Sequence, residues 1–140
     1  SLKKLELKFS DKQEYYKLSF DLGIYQQNTD FLQNKIFGIE CNFEELNALD
    51  FKKGCYVGQE NTARIKLKNK LSKKLLPIEI LSGSIKIDDD ILDNKKVLGK
   101  ILIDEKYPFG LLKFKDENFN FDKKFTCGKA LIKVIKPDWF

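Results

Sequence analysis

The chain has 140 residues, 42% hydrophobic, 13% aromatic and 34% charged, and carries a net charge of +5. That is too much apolar material for a disordered chain and enough for one ordinary domain or two small ones. No apolar run approaches the roughly 20 residues that cross a bilayer and no signal-peptide layout opens the chain, so a soluble, cytoplasmic protein with no membrane association is the expectation.

Ser10-Asp11-Lys12-Gln13 has the form of a capping box. It predicts a helix over Glu14 to Leu22 whose apolar face carries Tyr15, Leu18 and Leu22, ended by Gly23. Asn42 as cap with Glu45 three residues on predicts a second, short helix through about Leu49. Gln59 to Leu67 can form a third, with Glu60 well placed in its first turn. After about Leu71 the character changes. Leu75–Leu81, Ser84–Ile87, Val97–Ile103, Leu111–Phe114 and Ala130–Ile135 are short, apolar-rich segments separated by turn signals, which predicts a small antiparallel barrel or sandwich of five or more strands. At about 68 residues it is near the lower limit for an independent core, so it is expected to pack on the first half.

Asp88, Asp89, Asp90 and Asp93 read as a solvated turn, because the alternation, Gly and closing Glu of a calcium loop are missing. Lys66 to Lys74 holds five lysines; a solvated face is the plainer reading and contact with RNA phosphates the alternative. Phe119, Phe121 and Phe125 are expected to fill the barrel core instead of forming a base-stacking platform. Cys41 and Cys127 read as small buried residues, and Trp139-Phe140 is expected to dock on the body.

The densest chemistry lies in Lys53-Gly54-Cys55-Tyr56-Val57-Gly58-Gln59-Glu60. Two glycines let the backbone come close to a ligand. Cys55, beside Lys52 and Lys53 and near a helix start, sits where a thiolate is favoured. Gln59 and Glu60 offer groups that pair with a heterocycle. The same residues also fit a plain helix-to-helix turn with an inert thiol. Arg64 is the one Arg among 26 basic residues. It stands four residues past Glu60, within reach of an ion pair on one helix face, and its planar fork can alternatively bind a ligand carboxylate. With abundant Ile, Asn and Phe, the lysine bias resembles an AT-rich composition more than a nucleic-acid footprint. Three cysteines without a CxxC argue for a reducing compartment and against a metal knuckle. The absence of His removes Cys–His and Ser–His–Asp catalysis.

The eight-residue stretch from Lys53 to Glu60, with Ala63-Arg64 after it, resembles the signature of the YgfZ family. That family includes mitochondrial iron–sulfur assembly relatives and is related to the glycine-cleavage T-protein. Leu22-Gly23-Ile24 with Asp30 resembles its upstream Gly-Ile-Pro stretch, with Tyr25 where Pro is usual. Leu46 to Phe51, Lys73-Lys74-Leu75-Leu76 and Pro137-Asp138-Trp139 are similar to its flanking segments. The resemblance covers only the second half of a typical member.

It implies an α+β chain: the C-terminal part of a T-protein-like folate-binding domain over residues 1–71, then a small antiparallel β-barrel over 72–140. It implies tetrahydrofolate as cofactor, held by Lys53, Gly54, Tyr56, Gly58, Gln59 and Glu60 with Arg64 in support. Cys55 would be the functional, catalytic thiol. The implied role is assembly or repair of iron–sulfur clusters, including those of tRNA-modifying enzymes. Its partners would be iron–sulfur proteins or their assembly machinery, and an N-terminal half lying outside this chain. Two other readings stay open: a tetrahydrofolate-dependent aminomethyltransferase, and a short non-catalytic binding module without folate.

Overall fold

The computed structural model describes residues 10–26, 29–33, 35–54, 73–114 and 119–140. Six strands dominate it: β1 (Lys73–Ser82), β2 (Asp90–Asp93), β3 (Lys96–Ile103), β4 (Phe109–Lys113), β5 (Lys124–Cys127) and β6 (Ala130–Val134). They close into an antiparallel barrel in the order β1-β4-β3-β2-β5-β6. The barrel expected from the strand pattern is therefore the one formed. Closure gives every strand two neighbours in the sheet.

β1 holds the barrel together by serving two neighbours in turn. Lys73 to Pro77 pair with β4, and Ile78 to Ser82 pair with β6. Pro77 stands at the changeover. It has no N–H to give a ladder, but its carbonyl accepts the N–H of Ile135 at 2.9 Å. Gly110 faces the interior, where an added Cβ would stand 2.7 Å from Ile91 Cδ1. No larger residue fits that layer without moving a core side chain.

Alternation along the strands gives the wall two apolar faces. Leu76, Ile78, Ile91, Ile101, Leu112, Ile132 and Val134 fill one cluster with Phe125 and Cys127. Leu75, Leu102, Ile103 and Phe109 form a second cluster with Phe20 and Leu32 from the first part of the chain. The expected packing of barrel against first half thus occurs through this second face.

Two strand expectations are corrected. Ser84–Ile87 forms no ladder, because side chains take its backbone donors: Lys86 N–H donates to Asp89 Oδ2 (2.8 Å) and Ile87 N–H to Asp104 Oδ2 (3.2 Å). The strand lies instead at Asp90–Asp93, inside the acidic run. Asn94 and Lys95 both adopt positive φ, 46° and 71°, the mark of a two-residue type I′ hairpin joining β2 to β3.

The first helix, α1 (Lys12–Asp21), forms where predicted but with a different cap. Asp11 is the N-cap and makes no side-chain cap bond. The Ser10 hydroxyl instead pairs with the Glu14 carboxylate. Its end is a Schellman turn: Gly23 N–H donates to Phe20 O (2.9 Å) and Ile24 N–H to Ser19 O (2.7 Å), with Gly23 at φ +70°. Trp139 Nε1 takes the last free carbonyl, Leu22 O, at 2.7 Å. The expected docking of Trp139 on the body is this contact.

The face that α1 buries is not the one its periodicity predicts. Tyr15, Leu18 and Leu22 are 53%, 59% and 37% exposed, while Ser19 and Phe20 are buried. Phe20 packs edge-on against Phe109 at 5.5 Å and beside Tyr107 at 5.4 Å. Gln13 fixes that orientation through Lys106 Nζ on its Oε1 (2.9 Å) and the Tyr107 hydroxyl on its carbonyl. Specific partners on the barrel override the helix's own apolar stripe.

A 3-10 turn follows at Thr29–Leu32. Residues 38–47 form consecutive turns, so the helix expected from Asn42 is absent. Asn42 sits at φ +65°, fully buried, and its Nδ2 donates to Leu75 O at 2.7 Å. An N-cap takes an extended backbone, so Asn42 in the left-handed region does not open a helix.

Candidate functional site

The expected site begins at the end of this run of turns. Lys52 N–H donates to Asp50 Oδ1 at 2.8 Å, an Asx-turn that carries the chain outward. Lys53 and Gly54 follow, both exposed. Among the described residues beyond its chain neighbours, no atom lies within 4 Å of where a Cβ on Gly54 would stand. Cys55, Tyr56, Gly58, Gln59, Glu60 and Arg64 lie outside the described residues, as do the expected Gln59–Leu67 helix and most of the Lys66–Lys74 stretch. Of the residues expected to hold tetrahydrofolate, Lys53 and Gly54 alone are placed.

What anchors this approach is the seam between the turns and β1. Leu75 N–H donates to Glu40 O at 2.8 Å while Leu75 O accepts from Asn42. Both backbone polar groups of this β1 residue are thus held by the turn segment. Lys74 and Glu45 form a half-buried ion pair, and the Lys74 ammonium lies 5.9 Å from the Trp139 ring centre and 5.5 Å from that of Phe140. These contacts fix where Asp50 to Gly54 leave the body.

Beside the seam, an open cleft of about 430 Å³ is lined by Tyr25, Asp30, Ile36, Cys41 and Phe43 among others. The Tyr25 hydroxyl and the Cys41 thiol face each other there. Burial, first of all, raises the pKa of both, so the pair stays protonated and Cys41 is not a thiolate. Sequence reading missed this pair. Its one signal was Tyr25 itself, standing where the resembled family has Pro. Cys127 in the barrel is pushed up to about 11, by burial and then by Asp89 and Asp90. Both described cysteines are buried, as expected.

The acidic run is committed to structure. Asp89 serves Lys86 N–H, while Asp90 pairs with Lys100 (3.7 Å) and Asp93 with Lys123 (2.5 Å). Among the described residues, no group of three or more Cys, Asp or Glu is arranged to hold a metal ion. Also among them, no helix is long and apolar enough to cross a membrane.

No family profile matches the chain. It is similar, however, to curated proteins of one class: factors of iron–sulfur cluster assembly. A Dictyostelium discoideum protein named mitochondrial iron–sulfur cluster assembly factor IBA57 homolog is 34% identical over 96 residues, 64% of this chain. The Aspergillus oryzae homolog is 33% identical over 72 residues, 51% of the chain, and mouse IBA57 34% over 70 residues, 50% of the chain. The match covers 23%, 15% and 20% of those proteins respectively, so the chain spans less than a quarter of their length. These names correct one expectation. The relatives are mitochondrial proteins, which overturns the cytoplasmic assignment drawn from the lack of targeting features.

Proposed function

We propose that this chain is part of a mitochondrial protein that supports iron–sulfur cluster assembly. The observation that carries the reading is the similarity to IBA57-type assembly factors over 64% of the chain. The Lys53–Glu60 motif agrees with it, since the family it resembles includes mitochondrial iron–sulfur assembly proteins. The relatives' names favour assembly over the aminomethyltransferase reading.

In this proposal the barrel and its seam with the turns form a rigid mount for the motif. Cys55 is the reactive thiol that acts on the cluster or its carrier, and the cluster is cargo, not a resident group. The cations Lys52 and Lys53 beside it favour the thiolate. Tetrahydrofolate is the finer part of the proposal: Lys53, Gly54, Tyr56, Gly58, Gln59 and Glu60 would hold it, with Arg64 binding its carboxylate or bracing Glu60. Bound folate would supply a flat heterocycle to shield the thiol from solvent. Clients that include tRNA-modifying enzymes belong to the same finer reading.

Complementation tests the core claim. In cells lacking their own assembly factor, expression of the parent protein should restore the activity of a mitochondrial iron–sulfur enzyme, and Cys55→Ser should restore less than a tenth of it. Full rescue by Cys55→Ser removes Cys55 from the mechanism. No rescue by the wild type removes the function. Calorimetry with tetrahydrofolate tests the folate claim separately; absence of heat on the complete protein refutes it without touching the assembly role.

A further inference from the structure

The barrel carries a second concavity, on the side of β3, β4 and β5, that the proposed function does not use. It is a cleft of about 360 Å³ lined by Val97, Leu98, Phe114, Phe119 and Phe125, with Lys96, Lys113, Lys123, Asp93 and Asn120 around them. That volume falls within the range of small-ligand sites. Phe119 and Phe125 are nearly parallel, 20° between planes with centres 5.6 Å apart, and Phe114 lies 4.7 Å from Phe119. All three pack on the barrel cluster, as their core role requires, but only Phe125 is fully buried. Phe114 and Phe119 remain half-buried and present aromatic surface to the cleft.

The charges around the cleft are unequal. Lys123 is neutralised by Asp93 at 2.5 Å. Lys96 and Lys113 are exposed and form no ion pair among the described residues. Lys113 moreover stands directly across from Lys73 in the β1–β4 register, a like-charge pair that destabilises the sheet unless an anion offsets it. Asn120 Oδ1 accepts from Asp122 N–H, which leaves its amide nitrogen as a donor. An apolar aromatic floor, a neutral polar wall and two ammonium groups with no carboxylate partner among the described residues select a ligand that is flat at one end and anionic at the other. We infer that this cleft binds a nucleotide, the base against Phe114 and Phe119 and the phosphate toward Lys96 and Lys113. The inference stands apart from the iron–sulfur reading and uses none of the Lys53–Glu60 motif.

The chemistry is shared by free nucleotides and by the end of a single-stranded RNA, and the test separates them. The whole chain is titrated calorimetrically with adenosine 5′-monophosphate, adenosine, inorganic phosphate and a short oligouridylate. Saturable binding of the monophosphate, at least tenfold tighter than adenosine or phosphate alone, is expected. A double Lys96→Ala/Lys113→Ala variant should weaken it about tenfold and flatten its salt dependence. Phe119→Leu, which keeps apolar volume but removes the ring, should weaken it about fivefold. Tighter binding of the oligouridylate than of the mononucleotide assigns the site to RNA, and the reverse order to free nucleotide. No saturation by either ligand at millimolar concentration overturns the inference. So does binding that survives the lysine variant with its melting midpoint unchanged.

Discussion

The barrel and the segment before it obey different rules. Along the strands most apolar residues are buried by partners one or two positions away in register, with Ile80, Leu81 and Val97 left exposed. The strands' own pattern therefore says which side chains face inward. In residues 10–54 the buried groups are chosen by the barrel. Phe20 is held by Tyr107 and Phe109, and Asn42 by Leu75 O. The apolar stripe of Tyr15, Leu18 and Leu22 stays at the surface. A self-contained core can be read from local periodicity; a segment that borrows its partners cannot.

Three substitutions probe that contrast. The largest effect belongs to the barrel interior: Ile101→Ala, at a fully buried site, should lower unfolding free energy by about 2–5 kcal/mol, measured by urea denaturation. A loss below about 1 kcal/mol would show that the barrel core is loosely packed and the contrast false. Next comes the joint between the regions. Gly23→Ala forces a Cβ onto a backbone at φ +70° and to 2.9 Å from Pro137 Cγ, so it should cost about 1–2 kcal/mol. It should also shift Trp139 emission toward that of a solvated indole while the far-ultraviolet strand signal persists. Unchanged emission would mean that the helix end and the tail are not coupled.

The smallest effect is alkaline. Below pH 9 the Cys127 thiol is protonated in both the folded and unfolded chain. Its ordinary pKa is 9.0 and its folded value about 11. Between those values the unfolded chain loses the proton that the folded chain keeps, so stability falls as pH rises through this window. Urea midpoints at pH 7.5, 9 and 10 should therefore decline less steeply in Cys127→Ala than in the parent. Parallel slopes would mean that the thiol is not shielded by the barrel.

Much of the barrel is legible in the sequence, because Leu75–Leu81, Val97–Ile103, Leu111–Phe114 and Ala130–Ile135 carry β-branched and apolar residues between turn signals. β2 is hidden because it brings only Ile91 and Leu92 inside an acidic run, and its hairpin turn is Asn94-Lys95 rather than a glycine turn. Ser84–Ile87 is apolar enough for a strand, but the carboxylates of Asp89 and Asp104 occupy the donors a ladder would use. The Asn42 signal misleads for a related reason. The same amide that caps helices also fits φ +65° and reaches a distant carbonyl, and only the position of β1 decides between the two. Of the candidate site, the approach through Asp50 to Gly54 is legible as a turn with exposed glycine. The Tyr25–Cys41 pair is not, because nothing local says that residues sixteen apart will face each other.

The indole of Trp139 is the chain's single tryptophan, and it bonds to Leu22 O across 117 positions. The protein thus carries its own optical gauge. Its colour follows the meeting of the two most distant parts of the described chain and is separate from the formation of the β-sheet. A stopped-flow trace of that emission, set against a circular-dichroism trace of the strands, would time the barrel's closure and the helix's docking as distinct events.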